Sequence, residues 1–431
     1  MKFTNRLESE VRSYCRTWPT TFTKAKGSRL YDDKGREYLD FFSGAGSLNY
    51  GHGHPRLKTA LLEYLESDAI VHGLDMSTVA KERFLERFEE VILRPRDLDY
   101  KVQFPGPAGT TAVEAALKLA RKVTGRERVV GFTNAFHGMT LGSLAITGSS
   151  PKRGGAGILL SSGVNMPFDG YLGEGVDTID YLEALLDDDG SGLDLPAAII
   201  VETVQAEGGI NVASREWLRH LSALARRHGI LLIVDDIQVG CGRTGPFFSF
   251  EAVGIVPDIV CLSKALSGFG MPFAVTLLRS ELDVWDPGEH NGTFRGFNPA
   301  FVTATEALTA FWEDDTLTKD VKKKGAWASA ALDSLATAYP ELGATERGCG
   351  LIRGLACEDP SIVEKIVRAA FELGLIIETS GADSEVLKLL PALVIDDDDL
   401  AQGLDLLDEA IASSLDVSRR LATEAVAEAM S

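Results

Sequence analysis

Two ionisable side chains follow apolar runs that have the length of single β-strands. Asp235 comes directly after the run 230–234, and Lys264 comes two residues after the run 259–262. Because ligands bind at the carboxyl ends of strands in open α/β sheets, we expect both side chains to project into one crevice. A desolvated lysine is a nucleophile towards an aldehyde, and a nearby aspartate can keep a pyridine nitrogen protonated. The pair indicates this chemistry, whereas either residue alone is more often a helix cap or a surface charge.

Two further features fit a planar, phosphorylated ligand. Residues 106–111, which include Gly109 and Thr110, precede a helical pattern, and such a loop presents free backbone N–H groups to a phosphate. A tight turn with a threonine cap explains the same residues equally well. Phe136 follows another apolar run and can stack on a planar ring, although a core position is the default interpretation of a lone phenylalanine.

Apolar runs of strand length alternate with segments of helical period through the middle of the chain. The runs lie at residues 129–132, 197–201, 230–234, 259–262 and 273–278, and the helical segments include 113–123 and 217–227. Continuously apolar strands separated by helices predict an α/β fold with a mostly parallel sheet that is covered on both faces.

The two ends of the chain have a different pattern. Residues 28–35 predict a hairpin with its turn at 33–35, and the part after residue 311 predicts a long helix, short strands and a terminal helix. We therefore predict a large domain at residues 51–310. Residues 1–50 and 311–431 are predicted to form a small α+β domain together.

The composition excludes several classes of partner. The formal net charge of -20 disfavours nucleic acid and anionic membranes, because both would repel the chain. The five cysteines are scattered without a CxxC pair, and the histidines lack the HExxH spacing of a zinc helix, so we predict no disulfide framework and no metal site. The first residues contain no apolar signal-peptide region, and the apolar runs are too short to span a bilayer, so we expect a cytoplasmic protein.

Four motifs together resemble the class III (ornithine/ω-amino acid) aminotransferases. They occupy residues 136–138, 201–209, 235–245 and 263–266, and they occur in the order found in that family. The resemblance spans nearly the whole chain. It implies the fold type I of transferases that depend on pyridoxal 5'-phosphate (PLP), with a large and a small domain.

The resemblance implies a role for each residue around the ring of the cofactor. Lys264 would hold PLP as a Schiff base and then carry a proton between the substrate carbon and C4′ of the cofactor. Asp235 would bind the pyridine nitrogen, and Gln238 would approach the ring hydroxyl. Ile237 and Phe136 would pack on opposite faces of the ring.

Other positions in the motifs are implied to support the cofactor from further away. Gly109 and Thr110 would hold the phosphate, and Thr293 would do so from the other subunit, which implies a homodimer or higher oligomer with shared active sites. His137 would support the cofactor loop through hydrogen bonding, and Glu202 would also belong to the cofactor site.

A closer resemblance is to the branch of this family that acts in ectoine synthesis. It rests on residues 49–55, 71–76, 291–296 and 376–381, and residues 6–14 also resemble the opening of those enzymes. The implied reaction transfers the amino group of L-glutamate to L-aspartate 4-semialdehyde, which gives L-2,4-diaminobutyrate and 2-oxoglutarate.

Recognition of the substrate carboxylate departs from the common pattern of the family. Many members use an arginine that a glutamate masks, and Glu207 fits this glutamate, whereas Lys388 stands in the place of the arginine. A lysine offers a point charge instead of a bidentate fork. Our hypothesis is that Lys388 or Arg295 holds the carboxylate.

Three alternatives remain beside this reaction. A different ω-aminotransferase would act on a 4-aminobutyrate-like or diamine substrate in secondary metabolism. A racemase or decarboxylase on the same scaffold would not need the glutamate at Glu207. A non-catalytic PLP-binding regulatory protein would usually lack the lysine or carry a DNA-binding domain, and neither holds for this sequence.

Overall fold

The computed structural model describes residues 2–173 and 175–429, and it describes the side chains of residues 3–173 and 175–415. Its strands are β1 (Phe22–Lys26), β2 (Arg29–Asp32), β3 (Glu37–Asp40), β4 (Tyr100–Gln103), β5 (Val129–Phe132), β6 (Gly163–Met166), β7 (Ala198–Val201), β8 (Val204–Gln205), β9 (Asn211–Val212), β10 (Leu231–Asp235), β11 (Ile259–Leu262), β12 (Val275–Arg279), β13 (Thr345–Cys349), β14 (Ile352–Ala356), β15 (Leu375–Ile376), β16 (Glu378–Ser380) and β17 (Val386–Leu389). Its α-helices are α1 (Lys2–Leu7), α2 (Tyr14–Thr17), α3 (Ser43–Gly46), α4 (Pro55–Glu66), α5 (Val79–Phe88), α6 (Gly109–Thr124), α7 (Leu141–Ala145), α8 (Ser150–Arg153), α9 (Thr178–Asp187), α10 (Arg215–Arg227), α11 (Asn298–Phe311), α12 (Thr316–Ala338), α13 (Pro360–Leu373) and α14 (Asp397–Ala429).

The central sheet has the strand order β4-β12-β11-β10-β7-β5-β6. The pairs from β11 to β6 are all parallel, and β12 runs antiparallel to both of its neighbours. The predicted mostly parallel sheet is therefore confirmed. Its parallel strands end at one edge, where their carboxyl ends meet.

Alternate residues of the central strands belong to two separate cores. Ile200 of β7 packs with the apolar face of α6, whereas its neighbour Val201 packs with α10 on the opposite face of the sheet. Side chains of successive strand residues point to opposite faces, so a sheet that is covered twice requires apolar residues at every position. This explains why the runs in the sequence are continuous rather than alternating.

Two four-stranded sheets lie outside the central one. One has the order β1-β2-β3-β15 and contains the predicted hairpin of β2 and β3, and its parallel pair β3–β15 joins the two ends of the chain. The other has the order β13-β14-β17-β16, and α12, α13 and α14 contribute to the core beside it. Within the part of the chain that the structure describes, no helix is long and apolar enough to cross a membrane.

Candidate active site

The carboxyl edge of the central sheet surrounds a cavity of about 170 Å³. Asp235 is the last residue of β10, Glu202 follows β7 directly, and Lys264 begins a 3₁₀ turn after β11. The residues that line the cavity are Gly109, Thr110, Phe136, His137, Gly138, Glu202, Val204, Glu207, Asp235, Ile237, Gln238, Val239 and Lys264. The structure thus brings together the residues that the sequence predicted around the cofactor, with the exception of Thr293.

Lys264 has the backbone and the electrostatic surroundings of a functional lysine. Its φ of 46° lies in the left-handed region, which is a strained conformation for a residue with a side chain and is found mostly at functional sites. Burial lowers the pKa of its ammonium, and the carboxylate of Glu207 offsets this only in part. A lowered pKa favours the neutral amine, which is the nucleophilic form.

Asp235 is held from two sides. Its Oδ2 lies 2.7 Å from Nδ1 of His137, and its Oδ1 accepts a hydrogen bond of 3.2 Å from the backbone N–H of Ile237. Burial alone would lower the pKa of His137, but the bond to Asp235 and its negative charge outweigh burial and raise this pKa. The imidazole and this backbone N–H therefore fix the orientation of the Asp235 carboxylate.

Glu202 lies beside this pair in an environment that disfavours its charge. Its Oε2 accepts a hydrogen bond of 3.0 Å from the backbone N–H of Phe136. Burial raises the pKa of Glu202 to about 8, and the charge of Asp235 adds to this, while His137 opposes it. At neutral pH the protonated carboxyl is therefore the favoured form.

The raised pKa of Glu202 predicts how stability depends on pH. A carboxyl whose folded pKa is raised from 4.5 to about 8 favours the folded state at low pH, and this contribution is lost as pH rises towards 8. Glu202→Gln keeps an acceptor for the N–H of Phe136 and cannot ionise. We expect the difference in melting temperature, variant minus wild type, to increase by about 3 °C or more from pH 5.5 to pH 8.5. Thermal unfolding of both holoenzymes checks this, and a difference that does not change with pH contradicts it.

The start of α6 forms the end of the cavity that suits a phosphate. The helix begins at Gly109, so the backbone N–H groups of Gly109 and Thr110 have no partner within the helix and can bind an anion, whereas that of Thr111 donates to the carbonyl of Ala108. A Cβ at Gly109 would lie 3.1 Å from side-chain atoms of Ile237, so a larger residue would crowd this corner. Thr110 is held in place because its Oγ1 lies 2.6 Å from Oγ1 of Thr140 and 3.0 Å from Oγ of Ser143.

Behind one wall of the cavity lies a buried cluster of three charged residues. Lys388 Nζ lies 2.8 Å from Oε1 of Glu207 and 2.9 Å from Oε1 of Glu378. The side chain of Lys388 is fully buried and that of Glu378 is 5% exposed, whereas that of Glu207 is 20% exposed. Tyr14 donates a hydrogen bond of 3.3 Å from its hydroxyl to Oε2 of Glu378.

Burial and the neighbouring charges lower the pKa of Glu207 and raise those of Glu378 and Lys388. Burial would raise the pKa of Glu207, but Lys388 and Lys264 hold it well below its usual range. Burial also raises the pKa of Glu378, and there Lys388 offsets the effect only in part. The two carboxylates outweigh the effect of burial on Lys388 and raise its pKa, so this lysine stays an ammonium.

Two predicted residues lie away from the cavity. Thr293 and Arg295 belong to a 3₁₀ turn, Thr293–Arg295, and neither lines the cavity of this chain. Thr293 is exposed, and Arg295 Nη1 donates a hydrogen bond of 2.9 Å to Oδ1 of Asn291. The structure therefore does not bring Arg295 close to Lys264 within one chain.

Two buried polar atoms in residues that line the cavity have no hydrogen-bond partner among the described residues, namely Nε2 of His137 and Oε1 of Gln238. The amide of Gln238 is oriented by its Nε2, which donates to the carbonyl of Ala45 at 2.9 Å and to Oε1 of Glu207 at 3.0 Å. A ring with a hydroxyl group beside Lys264 would supply Gln238 with a donor. These features, together with the helix start at Gly109, fit PLP.

The chain belongs to the class III aminotransferases, because the family model described as aminotransferase class-III matches residues 12–411. Members of this family are PLP-dependent, and the chain has their fold type I. It is similar to the diaminobutyrate–2-oxoglutarate transaminases of Halalkalibacterium halodurans (58% identity over 95% of this chain and 96% of the relative). The transaminase of that name from Streptomyces coelicolor is 61% identical over 94% of this chain and 96% of the relative.

Solved structures of related enzymes have the same fold. A Bacillus anthracis aminotransferase matches with a TM-score of 0.86 at 25% identity, over 96% of this chain and 97% of its own. The ornithine aminotransferase of Toxoplasma gondii matches with a TM-score of 0.82 at 26% identity, over 96% of this chain and 94% of its own. The predictions of family, fold class and cofactor are confirmed.

The interpretation of the sequence did not assign a role to Glu378 or Tyr14. Glu378 lay within a motif of the closer resemblance, but nothing local marked it as a partner of Lys388. The signal that could have found it is the pairing of β16 with β17, in which Glu378 and Lys388 stand opposite each other. That register is a tertiary property.

Proposed function

We propose that the chain transfers the amino group of L-glutamate to L-aspartate 4-semialdehyde, producing L-2,4-diaminobutyrate and 2-oxoglutarate. The observation that carries this proposal is the 55–61% identity, over more than nine-tenths of the chain, to proteins named diaminobutyrate–2-oxoglutarate transaminase. The cavity supports it, because Lys264 and Glu207 both line the space where a substrate must react, and Lys388 lies directly behind Glu207. A role in ectoine synthesis is a further proposal that rests on the sequence motifs.

Each polar residue of the cavity has a proposed task. PLP, when bound, supplies the aldehyde that accepts the amino group and a ring that withdraws electrons. Lys264 binds the cofactor and carries a proton between the substrate carbon and C4′. Asp235, oriented by His137, keeps the pyridine nitrogen protonated. Gly109 and Thr110 hold the phosphate.

The remaining contacts to the cofactor are also proposals. Ile237 and Phe136 pack on the two faces of the ring, and Gln238 approaches the ring hydroxyl. Glu202 lines the cavity with His137 and would help to hold the cofactor, and its protonated carboxyl would add no second negative charge there.

A different ω-aminotransferase activity remains the second candidate, because Lys388 forms ion pairs with two carboxylates instead of one. This surplus of negative charge would suit a diamine, which presents a second ammonium group, whereas a 4-aminobutyrate-like substrate would present only a carboxylate to it. A non-catalytic PLP-binding protein is disfavoured by the position of Lys264 in the cavity beside Asp235. A racemase or decarboxylase is disfavoured by the retained Glu207.

One experiment tests the proposed reaction. Purified protein is incubated with PLP, L-glutamate and L-aspartate 4-semialdehyde, and L-2,4-diaminobutyrate is quantified by mass spectrometry. We expect product from the wild type and none from Lys264→Ala. Spectral conversion of the cofactor by glutamate without product would keep the aminotransferase activity and replace the acceptor. An unchanged spectrum with glutamate would make the proposed amino donor wrong.

Carboxylate recognition by Lys388 or Arg295 is tested by replacing each with methionine. We expect Lys388→Met to raise the apparent dissociation constant for L-glutamate in the half-reaction by about tenfold or more, because a buried charge partner is lost. Lys388→Met/Glu378→Gln, which does not leave two carboxylates without a cation, replaces the single variant if that variant is unstable. Unchanged affinity for glutamate in the variants of both Lys388 and Arg295 would contradict the hypothesis.

We further propose a homodimer or higher oligomer in which Thr293 holds the phosphate in the partner's cavity. The exposure of Thr293 supports this, and so does the neighbouring Phe294, which is 64% exposed and lies against His72 with ring centroids 5.3 Å apart. We also propose the division into a large domain at 51–310 and a small domain from 1–50 and 311–431, and it is supported by the pairing of β3 with β15. A cytoplasmic location stays a prediction.

A further inference from the structure

Glu378 gives the cluster behind the cavity an excess of negative charge. It begins β16 and stands directly opposite Lys388 of β17, so the backbone register places the two side chains on one face of the sheet. Lys388 also contacts Glu207, so two carboxylates share one ammonium group. With all three groups ionised, the cluster has a net charge of −1 (one ammonium against two carboxylates).

Only one residue of this cluster is in direct contact with the cavity, and this decides which charge a substrate encounters first. Of these three side chains, Glu207 lines the cavity, whereas Lys388 lies fully buried behind. A substrate carboxylate can therefore reach Nζ of Lys388 only when Glu207 moves aside. Even then Glu378 continues to neutralise Lys388, so the carboxylate meets a balanced pair rather than a free cation.

A substrate ammonium group meets the opposite situation. It approaches the carboxylate of Glu207, whose Oε1 is held by Lys388 and Gln238. Among the described residues none donates a hydrogen bond to its Oε2, which leaves an acceptor for an ammonium group. Glu378 strengthens this attraction because it cancels the charge of the lysine behind Glu207.

We propose that Glu378 is a specificity-determining residue that acts through Lys388, favours substrates with a second amino group, and weakens the binding of dicarboxylates. This inference rests on the proposed function. L-Glutamate presents only carboxylates besides its reacting amino group. L-2,4-Diaminobutyrate reacts at its C4 amino group and presents an ammonium group as well as a carboxylate at C2. The two substrates that share this cavity thus differ in the charge that Glu378 controls.

Tyr14 fixes the orientation of Glu378 from the N-terminal side of the chain. Its hydroxyl donates a hydrogen bond to Oε2 of Glu378, and its ring packs against those of Trp18 and Phe42, with centroids 5.5 and 4.8 Å away. Oε1 of Glu378 is thereby directed towards Lys388. Tyr14 is a positioning residue in this arrangement.

The test compares Glu378→Gln with wild-type holoenzyme. The half-reactions with L-glutamate and with L-2,4-diaminobutyrate are followed by absorbance, and binding of glutarate, a dicarboxylate without an amino group, is measured by calorimetry. Removal of one buried charge is expected to tighten L-glutamate and glutarate by about tenfold and to weaken L-2,4-diaminobutyrate by about tenfold. Glu346→Gln is the matched control, since it breaks the mostly buried Glu346–Arg353 pair (2.7 Å) without touching the cluster.

A specificity role of Glu378 predicts tighter binding of the dicarboxylates and weaker binding of L-2,4-diaminobutyrate, and these opposite changes distinguish it from a structural role. Weaker binding of all three ligands in Glu378→Gln, or an affinity for glutarate that is not increased, overturns the inference. If the wild type converts glutamate but not diaminobutyrate, the proposed acceptor is wrong. In that case the binding of glutarate still tests the role of Glu378, because this measurement involves neither L-glutamate nor L-2,4-diaminobutyrate.

Discussion

Lys264→Ala is expected to abolish amino transfer. Lys264 supplies the only lysine nitrogen among the residues that line the described cavity, and burial lowers its pKa. In the proposed mechanism, its loss would remove the attachment point of PLP and the group that carries the proton. We expect kcat/KM to fall by at least about 10⁴-fold, the upper end of the range for loss of a general base. Product formation by mass spectrometry measures this.

Two controls separate lost chemistry from lost folding. Lys319→Ala removes a lysine whose side chain is 72% exposed, and it should leave the activity unchanged. A small primary amine added to Lys264→Ala should restore a measurable part of the activity, because it supplies the missing base. Residual activity of Lys264→Ala within tenfold of wild type would show that another residue performs the proton transfer.

Asp235→Asn is expected to lower kcat by about 10²- to 10³-fold, the range for loss of one preorganised electrostatic contact. The substitution keeps the shape of the side chain and removes its charge, so the pyridine nitrogen would lose the partner that keeps it protonated. The same change removes the group that raises the pKa of His137. A histidine titration by NMR should therefore show this pKa to fall in the variant.

Asp236→Asn is the matched control for this charge removal, because Asp236 is the next residue and is also buried. It does not line the cavity, and its Oδ2 accepts a hydrogen bond of 3.0 Å from the backbone N–H of Ser249. Burial raises its pKa to about 7, so loss of its charge costs little. Equal losses of kcat in the two variants would mean that Asp235 has only a structural role.

The sheet and its edge were predictable because they depend on local patterns. Strands buried on both faces must be apolar at every position, which made β5, β7, β10 and β11 visible as runs. The polar residues that end those runs, such as Asp235, fall at one edge in any parallel sheet. The direction of β12 was not visible, because an antiparallel strand buried in the same sheet has the same apolar composition.

The wall of the site that contacts the substrate was only partly predictable. Glu207 and Lys388 were found through a resemblance. The sequence did not indicate that Lys388 is buried and forms ion pairs with both Glu207 and Glu378. That fact depends on the register between β16 and β17 and on Tyr14, whose hydroxyl reaches Glu378 from a distance of 364 residues along the chain. Long-range pairing of this kind leaves no periodic pattern.

The parallel pairing of β3 with β15 also constrains how the chain acquires its structure. Phe41, which follows β3, donates its backbone N–H to the carbonyl of Ile376 at 2.9 Å, and its side chain is completely buried. During synthesis the ribosome releases β3 long before β15 exists, so this early sheet stays incomplete until almost the whole chain has emerged. Contacts so distant in sequence form slowly. A chain that is terminated before residue 375 would carry an open strand edge beside unburied aromatic surface, which is the kind of edge through which chains aggregate.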